Sequence, residues 1–198
     1  SSGIGKAAAL ALLAQGFRVF AAVRNERAAE ALRGAAPVAD AGRLETLELD
    51  VTRADQIRAA VTRVEAAVGA AGLWGLFNNA GISVAGPLEH VPIDDLRRQL
   101  EVNVVGQVAV TQAFLPLLRR ARGRILSTGS IAGFFAAPAL GAYSISKHAI
   151  EAFSDALRRE LAVLPEWSAT PERLTLISDA AASLTVLQAE PGLPTRGV

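Results

Sequence analysis

Short apolar runs alternate along the chain with longer stretches of helical character. Residues 18–23 (RVFAAV), 43–51 (RLETLELDV), 73–81 (LWGLFNNAG) and 124–130 (RILSTGS) predict strands, the more apolar of them buried on both faces. The intervening stretches 5–15, 26–33, 53–69, 93–120 and 143–163 are rich in Ala, Leu, Arg and Glu and predict helices. Regular alternation of this kind predicts an α/β fold with a parallel sheet and right-handed crossovers, rather than a sandwich or a bundle. No repeat, low-complexity tract or linker divides the chain, so one domain over residues 1–198 is expected. Towards the end the pattern is ambiguous: 173–178 (RLTLIS) and 183–192 (SLTVLQAEPG) both offer the next strand. The second is preferred, with the turn formers of 165–172 lying between it and the last helix.

Composition narrows the function classes. The chain is 51% hydrophobic, with a mean hydropathy of +0.32, enough for one sizeable core. A net charge of +1, with both signs interspersed, provides no basic stripe for nucleic acid or anionic lipid. No uninterrupted apolar run reaches the roughly 18 residues of a membrane span: AAALALLA (7–14) stops at Gln15-Gly16, and 133–143 is broken by glycine and proline. A soluble, cytoplasmic protein is expected. Without cysteine there are no disulfides, thiolate nucleophiles or thiolate metal sites, and two separated histidines, His90 and His148, make no zinc constellation. A chain without methionine that opens on SSGIG is expected to lack its natural N-terminus.

Several positions carry candidate chemistry, each with a plainer alternative. Gly3 and Gly5 open a strongly helical run, where glycine permits a pyrophosphate to approach free amides at a helix N-terminus, or merely punctuates the chain. Arg24 closes the strand 18–23, the edge that faces an adenosine ribose in a dinucleotide fold, or is an ordinary surface residue. Asp50 ends the strand 43–51, suited to accept a bond from an adenine amino group or to cap the helix beginning near Thr52. FNNAG (77–81) follows a buried strand with two amides and a glycine, fit to tie a turn against a planar ligand or simply to turn. Asn103 interrupts an apolar helix, where its amide needs a partner: a core hydrogen bond or an active-site water.

The stretch AYSISKHAIEAF (142–153) is the sharpest signal. Only two of the twenty basic residues are lysines, and the single tyrosine, Tyr143, stands four residues before one of them, Lys147. On a helix the two share a face, so a phenol and an ammonium reach into one site. Ser130 ends the preceding strand at the carboxyl edge, where open α/β sheets bind ligands. A lysine at +4 would follow a random tyrosine in this chain roughly one time in a hundred.

In order, SGIG, DV, NNAG, N, S and YSISK resemble the short-chain dehydrogenase/reductase family over residues 1 to about 164. The runs LWGLFNNAGIS, LPLLRRARGRI and IEAFSDALRREL are most similar to its hydroxysteroid, retinol and 3-hydroxybutyrate dehydrogenase branch. The resemblance implies a doubly wound parallel sheet of Rossmann type, here incomplete at both ends, with NAD(P) across its carboxyl edge. It implies that Tyr143 is the acid/base, Lys147 holds the nicotinamide ribose and lowers the phenol pKa, Ser130 binds the substrate oxygen, and Asn103 anchors a relay water. Cofactor contacts are implied for Ser2, Gly3, Ile4, Gly5, Arg24, Asp50, Val51, Asn79, Ala80, Gly81, Tyr143 and Lys147, and near the end for Pro191, Gly192 and Thr195. No metal is expected.

With Val23-Arg24 where an acidic residue would select a bare 2′-hydroxyl, NADP(H) is expected over NAD(H). The expected partners are a small alcohol or ketone, with Phe134, Phe135, Pro138 and Leu140 as candidate apolar walls, and a second copy of the chain, as a homodimer or homotetramer. Three departures from the family pattern stand out. The first strand and first glycine would precede Ser1, the link from Leu164 to about Ser183 is unfamiliar, and the chain ends soon after Pro191-Gly192. A non-catalytic dinucleotide-binding homologue is the alternative from another class. Sugar epimerase or dehydratase chemistry also uses a Tyr/Lys pair, but needs a larger substrate domain.

Overall fold

The computed structural model describes residues 3–164, 174–178 and 185–188. The described elements run in chain order α1 (Ile4–Ala14), β1 (Arg18–Val23), α2 (Glu26–Arg33), β2 (Leu44–Glu48), α3 (Ala54–Val68), β3 (Gly75–Asn78), α4 (Ile93–Leu100), α5 (Gly106–Ala121), β4 (Arg124–Gly129), α6 (Gly141–Ala162) and β5 (Leu174–Ser178), and the predicted alternation holds through α6. A sixth strand, β6 (Thr185–Gln188), comes last in sequence. The sheet order is β2-β1-β6-β3-β4-β5. The pairs β1–β2, β3–β4 and β4–β5 are parallel, and β6 is antiparallel to both of its neighbours.

Strands β1 and β3 are buried on both faces because helices cover both faces, and β1 shows how the residues are dealt out. Val19, Ala21 and Val23 join Ala9 and Leu13 of α1 and Ala29 and Leu32 of α2 in one cluster. Phe20 and Ala22 join Val64 of α3 and Val110, Phe114 and Leu117 of α5 in the other. This is the period-two alternation of a strand between two helical layers, with fully apolar composition where neither side meets water.

The preferred assignment of the strand after α6 is overturned. Residues 174–178, not 183–192, form the parallel strand beside β4, with Ile125 opposite Leu174 and Gly129 opposite Ser178. Residues 185–188 instead fill the middle of the sheet, with Val186 opposite both Phe20 of β1 and Leu76 of β3. The reason is reach. Six residues separate β5 from β6, spanning at most about 20 Å when extended. That crosses three strand spacings of about 4.8 Å along one edge, but is too short to return to the opposite edge first. A parallel entry needs a crossover of about a dozen residues or more, so a short link delivers an antiparallel strand.

The predicted helix 93–120 is present as one helical stretch, Ile93–Ala121, but its α-helical pairing is not uniform. Between α4 and α5 the chain makes a π-helical turn, Glu101–Val105, centred on Asn103. Among the described residues Ile93–Ala121 is nevertheless one stretch long and apolar enough to cross a membrane by length and composition. It holds no uninterrupted apolar run, because Arg, Gln and Asn break it up. In the fold Val110, Phe114, Leu117 and Leu118 are buried in the core against the sheet.

Candidate active site

The strand ends and helix starts place most of the candidate residues along the carboxyl edge of the sheet. Ser130 follows the last residue of β4 and caps the short turn Ile131–Gly133, its Oγ accepting from the Ala132 N–H at 3.2 Å. Tyr143 lies in the first turn of α6 and Lys147 one turn on; both are buried, at 9% and 4% exposure. Lys147 Nζ sits 5.6 Å from the centre of the Tyr143 ring and donates to the Thr128 carbonyl at 2.8 Å. Burial lowers the Lys147 pKa to about 8, against an upward pull from Glu151. A cation is thus held beside the phenol in a site largely closed to water, where charges act more strongly than in bulk solvent.

Asn103 is fully buried and both ends of its amide are engaged. Its Oδ1 accepts from the Ile82 N–H at 2.7 Å, and its Nδ2 donates to the Ile82 carbonyl at 2.8 Å and to Ser146 Oγ at 3.0 Å. Ser146 in turn donates to the Tyr143 carbonyl at 2.7 Å. Asn103 therefore ties the chain leaving β3 to the turn of helix that carries Tyr143, which is the core hydrogen-bond role. The π-helical turn around it releases backbone groups from regular helical pairing, a feature frequent at functional sites.

At the β3 end, Asn79 Oδ1 accepts from Thr128 Oγ1 at 2.7 Å, and Asn78 Nδ2 donates to Thr111 Oγ1 at 2.8 Å. Ala80 accepts at its carbonyl from Gln107 Nε2 at 3.0 Å, while a Cβ at Gly81 would come within 3.4 Å of Asn103 Oδ1. Gln99 Oε1 accepts from the Val84 N–H. The sequence reading missed Thr128, Ser146, Gln99 and Gln107. Thr128 is the hub among them, its hydroxyl holding Asn79 and its carbonyl holding Lys147. The signal for the two glutamines was present: each is a polar residue on the apolar face of a helix, and each is buried.

The opposite half of the edge suits a dinucleotide. Gly3 stands before α1 with φ 69°, a backbone that favours glycine, and the helix start has neither a side-chain cap nor an acidic residue in its first turn. Its free amides and dipole are therefore disposed towards an anion. Ile4 is half-buried and Gly5 buried at that start. Arg24 is exposed immediately after β1. Asp50 follows β2 by two residues, and its Oδ1 accepts from the Thr52 N–H at 2.9 Å and from Thr52 Oγ1 at 2.7 Å. Burial alone would raise the Asp50 pKa, but these bonds and the charges of Arg24 and Arg53 outweigh it and hold the carboxyl below its ordinary range. Asp50 thus secures the turn before α3 rather than the helix N-terminus itself, which begins after Arg53. Val51 is buried against Gly106, where a Cβ would come within 2.6 Å of Val51 Cγ2. Ser2, Pro191, Gly192 and Thr195 lie outside the described residues. Among the described residues no group of three or more His, Cys, Asp or Glu side chains could hold a metal ion.

Fold and site together define a protein class, and comparison with known proteins agrees. The family described as short chain dehydrogenase matches residues 1–164, and the chain belongs to it. Human 17-beta-hydroxysteroid dehydrogenase type 6 is 48% identical over 164 residues, covering 81% of this chain and 49% of that protein. Human retinol dehydrogenase 16 is 47% identical over 161 residues, with the same coverages. The chain thus spans about half the length of these relatives. An alcohol dehydrogenase from the archaeon Thermococcus sibiricus, solved in complex with 5-hydroxy-NADP, superposes with a TM-score of 0.78 at 25% identity, covering 89% of this chain and 71% of that one.

Proposed function

We propose that this chain carries the cofactor-binding and acid/base half of an NADP(H)-dependent oxidoreductase that interconverts a secondary alcohol and a ketone. The observation that carries the reading is the buried Tyr143–Lys147 pair on one face of α6, tied by Lys147 Nζ to the Thr128 carbonyl of β4, two residues before Ser130. The bound dinucleotide supplies or accepts the hydride. The chain's own residues handle the proton and the orientation. Ser130 Oγ holds the substrate oxygen, and Tyr143 Oη donates its proton to that oxygen during reduction or takes it back during oxidation. A phenol with a reference pKa near 10 is a poor base at neutral pH, and the Lys147 cation stabilises the phenolate that forms. Asn103 keeps the Tyr143 turn of α6 in register with the chain after β3.

Three features favour an apolar substrate. Leu88 packs against Gly141 at the start of α6, and Phe134 and Phe135 follow the Ser130 turn with 71% and 63% exposure. The relatives named for retinol and a hydroxysteroid act on molecules of that character. The preference for NADP(H) rests on Arg24 and on the likeness to the structure bound to an NADP derivative. Exposed apolar side chains at Val105 and Ile145 favour pairing with a second copy through the α5–α6 side.

The test is Tyr143→Phe in the full-length protein, assayed for NADPH-dependent ketone reduction. Turnover is expected to fall by the 10²–10⁴-fold typical of a general acid, with NADPH binding largely kept. Near-normal turnover would sink the mechanism. NADPH binding without turnover in either form would support the non-catalytic homologue.

A further inference from the structure

We propose that Glu151 is a positioning residue for Lys147: set one helical turn beyond it on the same face of α6, with a carboxyl oxygen buried and unpartnered, it holds Lys147 in its charged form, and Gly133 provides the room. The inference builds on the reading of Lys147 as the cation beside the phenol.

Three observations carry it. Glu151 Oε1 is fully buried and has no hydrogen-bond partner, an expensive arrangement for a carboxylate unless its charge is used. Residues four apart on a helix are neighbours, so that charge falls on Lys147. The Ser130 turn is shaped around it: a Cβ at Gly133 would come within 2.9 Å of Glu151 Cγ, 3.0 Å of its Oε1 and 3.1 Å of the Lys147 carbonyl. Gly133, three residues after Ser130, therefore lets the substrate-side turn lie flat on α6 against the Glu151 side chain and the Lys147 carbonyl.

The surrounding charges leave Glu151 as the group acting on Lys147. Burial, first, and then Asp155 raise the Glu151 pKa, while Lys147 and His148 pull it down. These are all residues of α6. The turn Ile131–Gly133 carries no charge, and Arg124 of β4 lies over the Trp74 ring at 4.8 Å. Arg97 and Arg98 of α4 are paired with Asp94 and Asp95, and Glu101 of the π-helical turn is exposed. The sign follows directly. Burial depresses the Lys147 pKa and Glu151 opposes that, so removing the carboxylate lowers it further and the ammonium is lost at lower pH.

Because the chain has only two lysines, the charge on Lys147 is readable without turnover. The full chain, labelled with ¹³C-lysine, is titrated by NMR at the Cε resonance, with Lys6 as the internal reference. In wild type Lys147 should titrate near 8, and in Glu151→Gln its midpoint should fall by about half a unit or more, while Glu151→Asp retains most of the native value. An unmoved Lys147 midpoint in folded Glu151→Gln overturns the proposal. Should that variant not fold, Gly133→Ala, which pushes the carboxylate aside, decides by the same criterion. A Lys147 shift in a protein whose Tyr143→Phe variant keeps near-normal turnover would sink the proposed reaction mechanism and keep this inference. Turnover without a shift would do the reverse.

Discussion

Arg24 and Asp50 show how residue-level chemistry is set by neighbours that the sequence separates. They are twenty-six positions apart, yet they stand on adjacent strand ends, and the Arg24 charge helps keep Asp50 ionised. A guanidinium grips a 2′-phosphate with paired hydrogen bonds, and a bare 2′-hydroxyl gains little from it. Asp50 draws on the same cation, so the gain is at the modest end of the 1.5–3 kcal/mol of a charge-assisted bond, or roughly ten-fold in affinity. Titration of NADPH and NADH into wild type and Arg24→Ala should show this preference and its loss. Equal affinities in wild type, or a preference indifferent to the substitution, would make Arg24 a surface residue only.

At the scale of elements, the site depends on how closely α5 approaches the chain after β2. Gly106 begins α5 against Val51, the residue following Asp50, and a methyl group there would meet the Val51 side chain and carbonyl at 2.6–3.0 Å. In an exposed helix, alanine for glycine would stabilise by about 1 kcal/mol. Here the sign should reverse. Gly106→Ala is expected to destabilise by about 1–3 kcal/mol in urea denaturation, as overpacking does, and to weaken NADPH binding because Val51 carries Asp50 with it. A stabilised variant would show that the contact relaxes freely. The π-helical turn works at this scale too. It lets one stretch of chain present Gln99, Asn103 and Gln107 to the segment 80–84, binding α4 and α5 to the loop that leaves β3.

For the whole molecule, the position of β6 matters most. Without it β1 and β3 would face each other across a gap, with two rows of backbone N–H and C=O groups unpaired in the middle of the sheet. The two halves, one carrying Arg24 and Asp50 and the other Ser130, Tyr143 and Lys147, are joined through its hydrogen bonds. Proline at Val186, opposite Phe20 and Leu76, removes a ladder donor from a central strand, a place proline does not occupy. Val186→Pro should cost at least about 3 kcal/mol, which for a chain of this size is a fall in Tm of about 6–12 °C by circular dichroism. An unchanged Tm would mean that β6 does not hold the halves together.

What the sequence determined by itself is local or periodic. The strands 18–23 and 124–130 and the helix 26–33 were legible because burial on both faces and helical spacing leave their mark residue by residue, and the pairing of Tyr143 with Lys147 was legible because i, i+4 geometry is built into a helix. The family resemblance added the order of the motifs, and with it the roles implied for Ser130 and Asn103, which the residue pattern had already singled out. Tertiary structure alone decided the rest. The choice between 173–178 and 183–192 turned on how far six residues reach across a sheet, which no propensity records. Thr128 became the link between Asn79 and Lys147, and the Glu151 carboxyl came to lie against the Ser130 turn, because β3, β4 and α6 meet at one edge. A threonine on a strand and a glutamate on a helix are ordinary in sequence; only the neighbours brought by the fold determine whether their polar atoms face water, a partner or a buried charge.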